Sequence, residues 1–170
     1  MPNYDPITGL GACGERVETD GSPWGEGTVW LPASMIADES FGASMPTARY
    51  RQLRYRYDFE YWAARCSHIK DKVSRRIVPF VLNCPQRKLL AVMERQRTGG
   101  KPVRVIVVKA RQWGGSTLIG QYMAWWQLVL FENCHAVICA HVKDCATTLG
   151  ATYDTILDHY PPAARNEPIS

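Results

Sequence analysis

The chain has 170 residues, 46% of them hydrophobic and 21% charged, with a formal net charge of +4. That length suits about one domain, and that composition suits a globular chain rather than a fibrous or disordered one. No apolar run approaches the ~20 residues of a membrane span, and Met1-Pro-Asn-Tyr-Asp5 lacks the basic and apolar regions of a signal peptide, so a cytosolic location with no membrane association is expected.

Residues 1–47 read as an irregular N-terminal arm. Gly, Pro, Ser and acids recur there without a period, and such a stretch buries little apolar surface by itself. Thr28-Val-Trp-Leu31 is either a short strand or an anchor within it. Residues 50–72 read as helical: Tyr57, Tyr61, Ala64, Cys66, Ile69 and Val73 lie near helical spacing, and Asp58 and Glu60 come early while Lys70 and Lys72 come late, as the helix dipole favours. A short apolar run follows at 77–82, where Pro79 argues against a central strand. Residues 83–97 predict a second helix, with Asn83 or Cys84 as N-cap, Pro85 at the first helical position and Gly99-Gly100 as the stop. Leu89, Leu90, Val92 and Met93 form its apolar stripe.

Val103-Arg-Val-Ile-Val-Val108 is a β-branched run of the kind found in buried parallel strands. A loop from Lys109 to Gly115 separates it from a helix at 116–130, in which at most one of Trp125 and Trp126 can face the core fully. His135-Ala-Val-Ile-Cys-Ala140 reads as a second buried strand, and residues 143–159 as a further helix ended by Pro161 and Pro162. The β-α-β-α order with short connections predicts an α/β fold. Residues 48–170 are expected to form part of a P-loop NTPase (RecA-like) parallel sheet with flanking helices, preceded by the 1–47 arm.

The charge is unevenly spread. Residues 1–47 are net −6, residues 48–111 carry seventeen Lys/Arg against four acids for a net of +13, and residues 112–170 are net −3. A basic block of this density points to a polyanion partner, with solvated helix faces as the plain alternative. Such charge gives affinity for phosphate backbones and no sequence specificity. The six cysteines, Cys13, Cys66, Cys84, Cys134, Cys139 and Cys145, include no CxxC pair. Cys134, His135, Cys139 and His141 crowd one segment, but without the tight paired spacing of zinc ligands they read as core thiols and incidental imidazoles.

The loop between the predicted strand and helix carries the chemistry. In the standard phosphate-binding motif GxxxxGK[ST], glycines let backbone N–H groups close around phosphates, the Lys reaches the β- and γ-phosphates, and the hydroxyl binds Mg²⁺. The helix that follows directs its N-terminal N–H groups at the same anion. Here the register is Lys109-Ala-Arg-Gln-Trp-Gly114-Gly115-Ser116. Lys109 replaces the first glycine and Gly115 stands where the usual Lys would be, while Gly114 and Ser116 match. Lys109 or Arg111 can reach the phosphates from the front of the loop, past Gln112. Gly114 and Gly115 permit close backbone approach, Ser116 is the natural Mg²⁺ ligand and Thr117 its neighbour. Trp113 either packs on the core or flanks a nucleotide. Gln86, behind Pro85 at a helix start, has the amide groups to hydrogen-bond an adenine. Together these residues predict a site for a nucleotide and Mg²⁺.

These residues resemble the large subunit of the tailed-phage DNA-packaging terminase. The resemblance runs from about Asp58 to Pro161. It rests on Asp58-Phe-Glu-Tyr-Trp-Ala63, Pro79-Phe-Val-Leu-Asn-Cys-Pro-Gln86, Lys109-Ala-Arg-Gln-Trp-Gly-Gly-Ser-Thr117 and Val137-Ile-Cys-Ala-His-Val-Lys-Asp144. It implies a motor that binds ATP at the variant Walker A loop and uses hydrolysis to drive double-stranded DNA into a procapsid. By matching position it implies that Gln86 contacts adenine, that Lys109 and Arg111 are the catalytic basic residues of the loop, and that Ser116 binds the metal. It further implies a homo-oligomer on the portal, with the small terminase subunit as partner, in the cytoplasm of the infected bacterial host. Terminase large subunits continue into a Walker B strand, a catalytic Glu, a coupling motif and a nuclease domain, none of which is recognisable after Pro162. The chain therefore reads as the N-terminal part of the ATPase domain, expected to bind ATP with little or no turnover. A fragment of a helicase-like P-loop ATPase, and a basic nucleic-acid-binding module without nucleotide function, are the alternatives.

Overall fold

The computed structural model describes residues 4–21, 24–25, 27–71, 73–108, 112–131, 134–137, 139, 143–161 and 164. Its N-terminal part is a hairpin of β1 (Arg16–Asp20) and β2 (Thr28–Pro32), antiparallel with Glu18 opposite Trp30. A single helical turn, α1 (Ala33–Ile36), leads on to α2 (Thr47–Tyr57). Val29, Leu31 and Met35 pack with Trp24 and Met45 against Tyr50 and Leu53 of α2, and Trp24 stacks on Tyr50 with ring centroids 4.4 Å apart. The 1–47 segment thus shares one apolar cluster with the first helix of the basic block.

The predicted helix at 50–72 is two helices and a strand. Asp58 ends α2 and caps α3 (Phe59–Cys66), its carboxylate accepting from the Tyr61 N–H at 3.2 Å. An acceptor side chain at an N-cap satisfies a donor that has no partner inside the helix, so the break falls at this residue. Then β3 (His68–Lys70) pairs antiparallel with β4 (Ile77–Pro79), Ile69 opposite Val78. Pro79 sits at the end of an edge strand, where its missing N–H does no harm. α4 (Cys84–Thr98) begins at Asn83, whose side chain and that of Gln86 form a reciprocal capping box, and it stops at Gly99. α5 (Gly115–Trp125) widens into a π-helical turn (Trp126–Leu130), and α6 (Lys143–Asp158) packs along it. Phe59, Trp62, Leu90, Leu118, Trp125 and Ile156 meet in the larger core, joining α3, α4, α5 and α6. Trp125 is fully buried and Trp126 half-buried, as two adjacent indoles on one helix require.

The expected parallel sheet is not formed among the described residues. Among the described residues the only strand pairs are the two antiparallel hairpins, and neither 103–108 nor 134–137 pairs with anything as a strand. Val105 and Val107 are 36% and 43% exposed, while Ile106 and Val108 are 95% and 98% exposed. That alternation is the period-2 signature of an extended segment with one face on the protein. Val103, Val105 and Val107 line a cleft against α5 and α6, and the opposite face is bare. Val137, expected inside the second strand, is 85% exposed. The physical reason is that a β-branched run specifies an extended backbone locally, whereas a sheet also needs hydrogen-bond partners at its edges and cover on both faces. The fold is thus α/β with two small antiparallel hairpins around a helical core, and the RecA-like reading is corrected accordingly.

No helix among the described residues is long and apolar enough to cross a membrane.

Candidate phosphate-binding loop

Helix α5 starts at a loop built from glycine. Gly114, its N-cap, has φ +86°, in the left-handed region that an L side chain rarely adopts. Its carbonyl accepts the first helical hydrogen bond, from the Leu118 N–H at 3.0 Å. No side chain caps the helix. The N–H groups of Gly115, Ser116 and Thr117 belong to the first turn, where an α-helix offers no internal acceptor, and they carry the positive end of the helix dipole. An anion placed there receives several donors at once. Ser116 is exposed beside them and Thr117 is half-buried. Gln112 is exposed, with φ +61°.

Packing explains why positions 114 and 115 both hold glycine. A Cβ on Gly115 would lie 2.7 Å from the Trp113 ring, so the indole covers the position where a standard loop has its Lys. Trp113 itself is half-buried and packs against the main core. A Cβ on Gly114 would meet the Gln86 amide nitrogen at 2.6 Å. A Lys at 115 therefore cannot be restored without displacing the indole. Gly115→Lys is expected to lose about 1–3 kcal/mol of stability by overpacking and to gain no affinity for ATP, measured by thermal unfolding and by titration.

Gln86 lies at this loop, 4% exposed, with its amide engaged on both sides. Its oxygen accepts from the Asn83 N–H at 2.9 Å, and its nitrogen donates to the Gly114 carbonyl at 2.9 Å. Asn83 reaches the same loop, its Nδ2 donating to the Trp113 carbonyl at 3.1 Å. The structure thus brings together Gln86, Trp113, Gly114, Gly115 and Ser116 from the predicted set. Lys109 and Arg111 lie outside the described residues. Asn83 was not among the predicted site residues, although the Asn-x-x-Gln spacing is a readable capping-box pattern.

Beside the loop runs the cleft of about 1040 Å³, lined by Val103, Val105, Trp113, Ser116, Met123 and Tyr153 among others. Its lining is mostly apolar, with Ser116, Gln127, Thr152 and Tyr153 among its polar members, which suits the flat face of a base or a sugar edge better than a charged group. The residues fit the phosphate half of Mg-ATP, with first-turn N–H groups at a helix end that no side chain caps among the described residues. For the metal they offer the Ser116 hydroxyl, and no cluster of three or more His, Cys, Asp or Glu residues is found among the described residues. Mg²⁺ held there would take its other ligands from phosphate oxygens and water, as it commonly does. The described residues of the crowded segment at 134–141 hold no such cluster either. Cys134 is half-buried and His135 and Cys139 are exposed, whereas His141 lies outside the described residues.

A second polar centre sits between the N-terminal hairpin and the helices. Asp58 is buried and takes two hydrogen bonds from Arg16, at 2.7 and 2.8 Å, with the buried Arg54 Nε 3.6 Å away. Burial alone would raise the Asp58 carboxyl, but Arg16 and then Arg54 outweigh it and hold the group below the usual carboxylate range. Glu60, also buried, accepts from the Cys13 N–H at 2.8 Å with Arg87 at 3.8 Å. Burial and the facing Glu60 push the Cys13 thiol up to about 12, which disfavours the thiolate, and the Sγ donates to the Arg87 carbonyl at 3.0 Å. Every group in this centre ties the arm to α2, α3 and α4, which reads as structural joinery.

No protein-family model, curated protein or solved structure matches the chain.

Proposed function

We propose that the loop from Lys109 to Thr117 binds the phosphates of Mg-ATP, as part of a motor of the phage DNA-packaging terminase type. The observation that carries this reading is the start of α5, a glycine-initiated helix end with no side-chain cap and an exposed hydroxyl at its second residue. The sequence around it supports the same conclusion. From residue 95 to residue 131 the chain contains no acid, while Lys109 and Arg111 stand at the front of the loop. A field of one sign at a helix N-terminus favours a polyphosphate.

In this role the first-turn N–H groups hold phosphate oxygens, and Lys109 and Arg111 neutralise their charge. Ser116 presents its hydroxyl to the metal. Bound Mg-ATP supplies a transferable γ-phosphoryl group, whose hydrolysis needs charge stabilisation and a positioned water in addition to a cradle. Double-stranded DNA, the portal, a small terminase subunit and further copies of the chain are the partners this reading implies, in the cytoplasm of an infected bacterium.

The test is titration of Mg-ATP into the wild type and into Lys109→Ala and Arg111→Ala. A charge-assisted contact contributes about 1.5–3 kcal/mol, so loss of the residue that touches the phosphates is expected to weaken binding roughly 10- to 100-fold. Binding that neither substitution alters would remove the nucleotide reading.

A second reading has its own observation. Lys70, Arg75 and Arg76 are exposed on the β3–β4 hairpin, Lys88 and Arg95 on α4, and Lys101 and Arg104 just after it. These cations suit a nucleic-acid backbone whether or not the loop binds ATP. DNA binding through them falls steeply with salt and survives substitution of Ser116.

A further inference from the structure

Two hydrogen bonds join the start of α4 to the start of α5, and two more within α4 set them up. Within α4, the Gln86 N–H donates to Asn83 Oδ1 at 3.0 Å, and the Asn83 N–H donates to Gln86 Oε1 at 2.9 Å. These two fix the rotamers of both side chains. What remains of each amide, its NH₂ group, points across to the loop. Asn83 Nδ2 donates to the Trp113 carbonyl at 3.1 Å and Gln86 Nε2 to the Gly114 carbonyl at 2.9 Å. Gly114 is the N-cap of α5, so Gln86 grips the same carbonyl that opens the helix by accepting from Leu118.

This placement has two consequences. The backbone of Gly114 is in the left-handed region, which glycine reaches without steric cost but shares with other conformations, and the two amides are polar partners that select it here. A Cβ at Gly114 would displace one of them, since it would fall 2.6 Å from Gln86 Nε2. The second consequence concerns bases. An adenine edge needs both a donor and an acceptor from a glutamine amide, and here the oxygen and nitrogen of Gln86 already have partners and the residue is buried.

We propose that Asn83 and Gln86 are positioning residues that latch the loop through the carbonyls of Trp113 and Gly114, so that the first-turn N–H groups of α5 stay directed outward, and that Gln86 does not read a base. The phosphate arm of the test rests on the loop binding phosphate; the exchange arm does not.

Three variants of the full chain separate the possibilities. Gln86→Ala removes the grip on Gly114. Gln86→Met keeps the side-chain length and loses both polar atoms. Asn83→Ser keeps an N-cap oxygen for α4 but cannot reach Trp113. Far-ultraviolet dichroism reports whether the helices persist. In the exchange arm, amide hydrogen exchange in peptides covering 112–120 is expected to speed up about five-fold in each variant, the effect of one lost hydrogen bond, while peptides from α3 stay unchanged. Unchanged exchange at 112–120 in all three overturns the latch. In the binding arm, inorganic tripolyphosphate, Mg-ATP and Mg-GTP are titrated into wild type and Gln86→Met. The latch predicts a similar loss for all three, about five-fold. A loss confined to Mg-ATP, with tripolyphosphate and Mg-GTP unaffected, overturns it in favour of base reading. If the wild type binds none of the three, the phosphate reading of the loop falls, and the exchange arm alone decides whether the latch exists.

Discussion

Asp58→Ala is expected to lower the folding stability by about 3–5 kcal/mol, the range for removing one partner of a buried ion pair. The substitution leaves the Arg16 guanidinium, only 9% exposed, and the fully buried Arg54 without their carboxylate. It also removes the N-cap of α3, which accepts from the Tyr61 N–H. Arg54 retains its hydrogen bond to the Ile7 carbonyl and its place over the Tyr61 ring, 4.0 Å from the centroid, so part of its environment survives. Urea unfolding of the wild type and the variant measures the difference. Replacing Arg16 and Asp58 together with apolar residues is expected to cost less than the two single changes summed, because neither of that pair is then left facing a missing partner and only Arg54 loses its carboxylate.

The same pair predicts a pH dependence. The Asp58 carboxyl sits below its ordinary value in the folded protein, through Arg16 and Arg54 working against burial. A depressed carboxyl contributes fully above its unfolded pKa of about 3.9 and loses that contribution as pH falls through the folded value. The wild type is therefore expected to lose stability progressively below about pH 4. Asp58→Asn, less stable at neutral pH, is expected to show a shallower decline over that interval.

Trp125→Ala is expected to cost about 3–5 kcal/mol, the usual range for truncating a large buried aromatic, and to lower the Tm by on the order of 10 °C. The indole is fully buried at the C-terminal end of α5. It meets Phe59 edge-on at 5.4 Å and Tyr122 at 5.5 Å, and its Nε1 donates to the Tyr55 carbonyl at 2.7 Å. The Arg97 guanidinium lies 5.3 Å from the ring, so a cation–π contact is lost as well. Trp126→Ala, at a half-buried ring, is expected to cost less than half as much. The pair of variants, compared by calorimetry, tests which indole anchors the helix that carries the loop.

The features legible in the sequence are those decided by near neighbours. Asn83 and Pro85 mark the start of α4, Gly99 marks its end, and both follow from capping chemistry within a few residues. The rule that adjacent indoles cannot share one buried face correctly limits the core to one of Trp125 and Trp126. Where partners are remote, local pattern fails. Arg16 and Asp58 are 42 residues apart, and the Gln86 grip on Gly114 spans 28. The 103–108 run shows the limit most clearly, since its alternating exposure matches a strand while its edges have no strand partner among the described residues. Composition supplied the extended conformation, and sheet membership depends on partners that composition does not contain. The site divides along the same line. Gly114, Gly115 and Ser116 declared themselves by spacing, but the reason Gly115 replaces a Lys became visible only with the Trp113 ring lying over it.

The phosphate-binding role of the loop is tested most directly by titrating inorganic tripolyphosphate into the ¹⁵N-labelled wild-type chain and following the backbone amide signals. Saturable shifts centred on the N–H groups of Gly115, Ser116 and Thr117, abolished in Gly114→Val, are the predicted result. Shifts confined to the exposed cations of α4 and the β3–β4 hairpin, with the start of α5 unmoved, would contradict it.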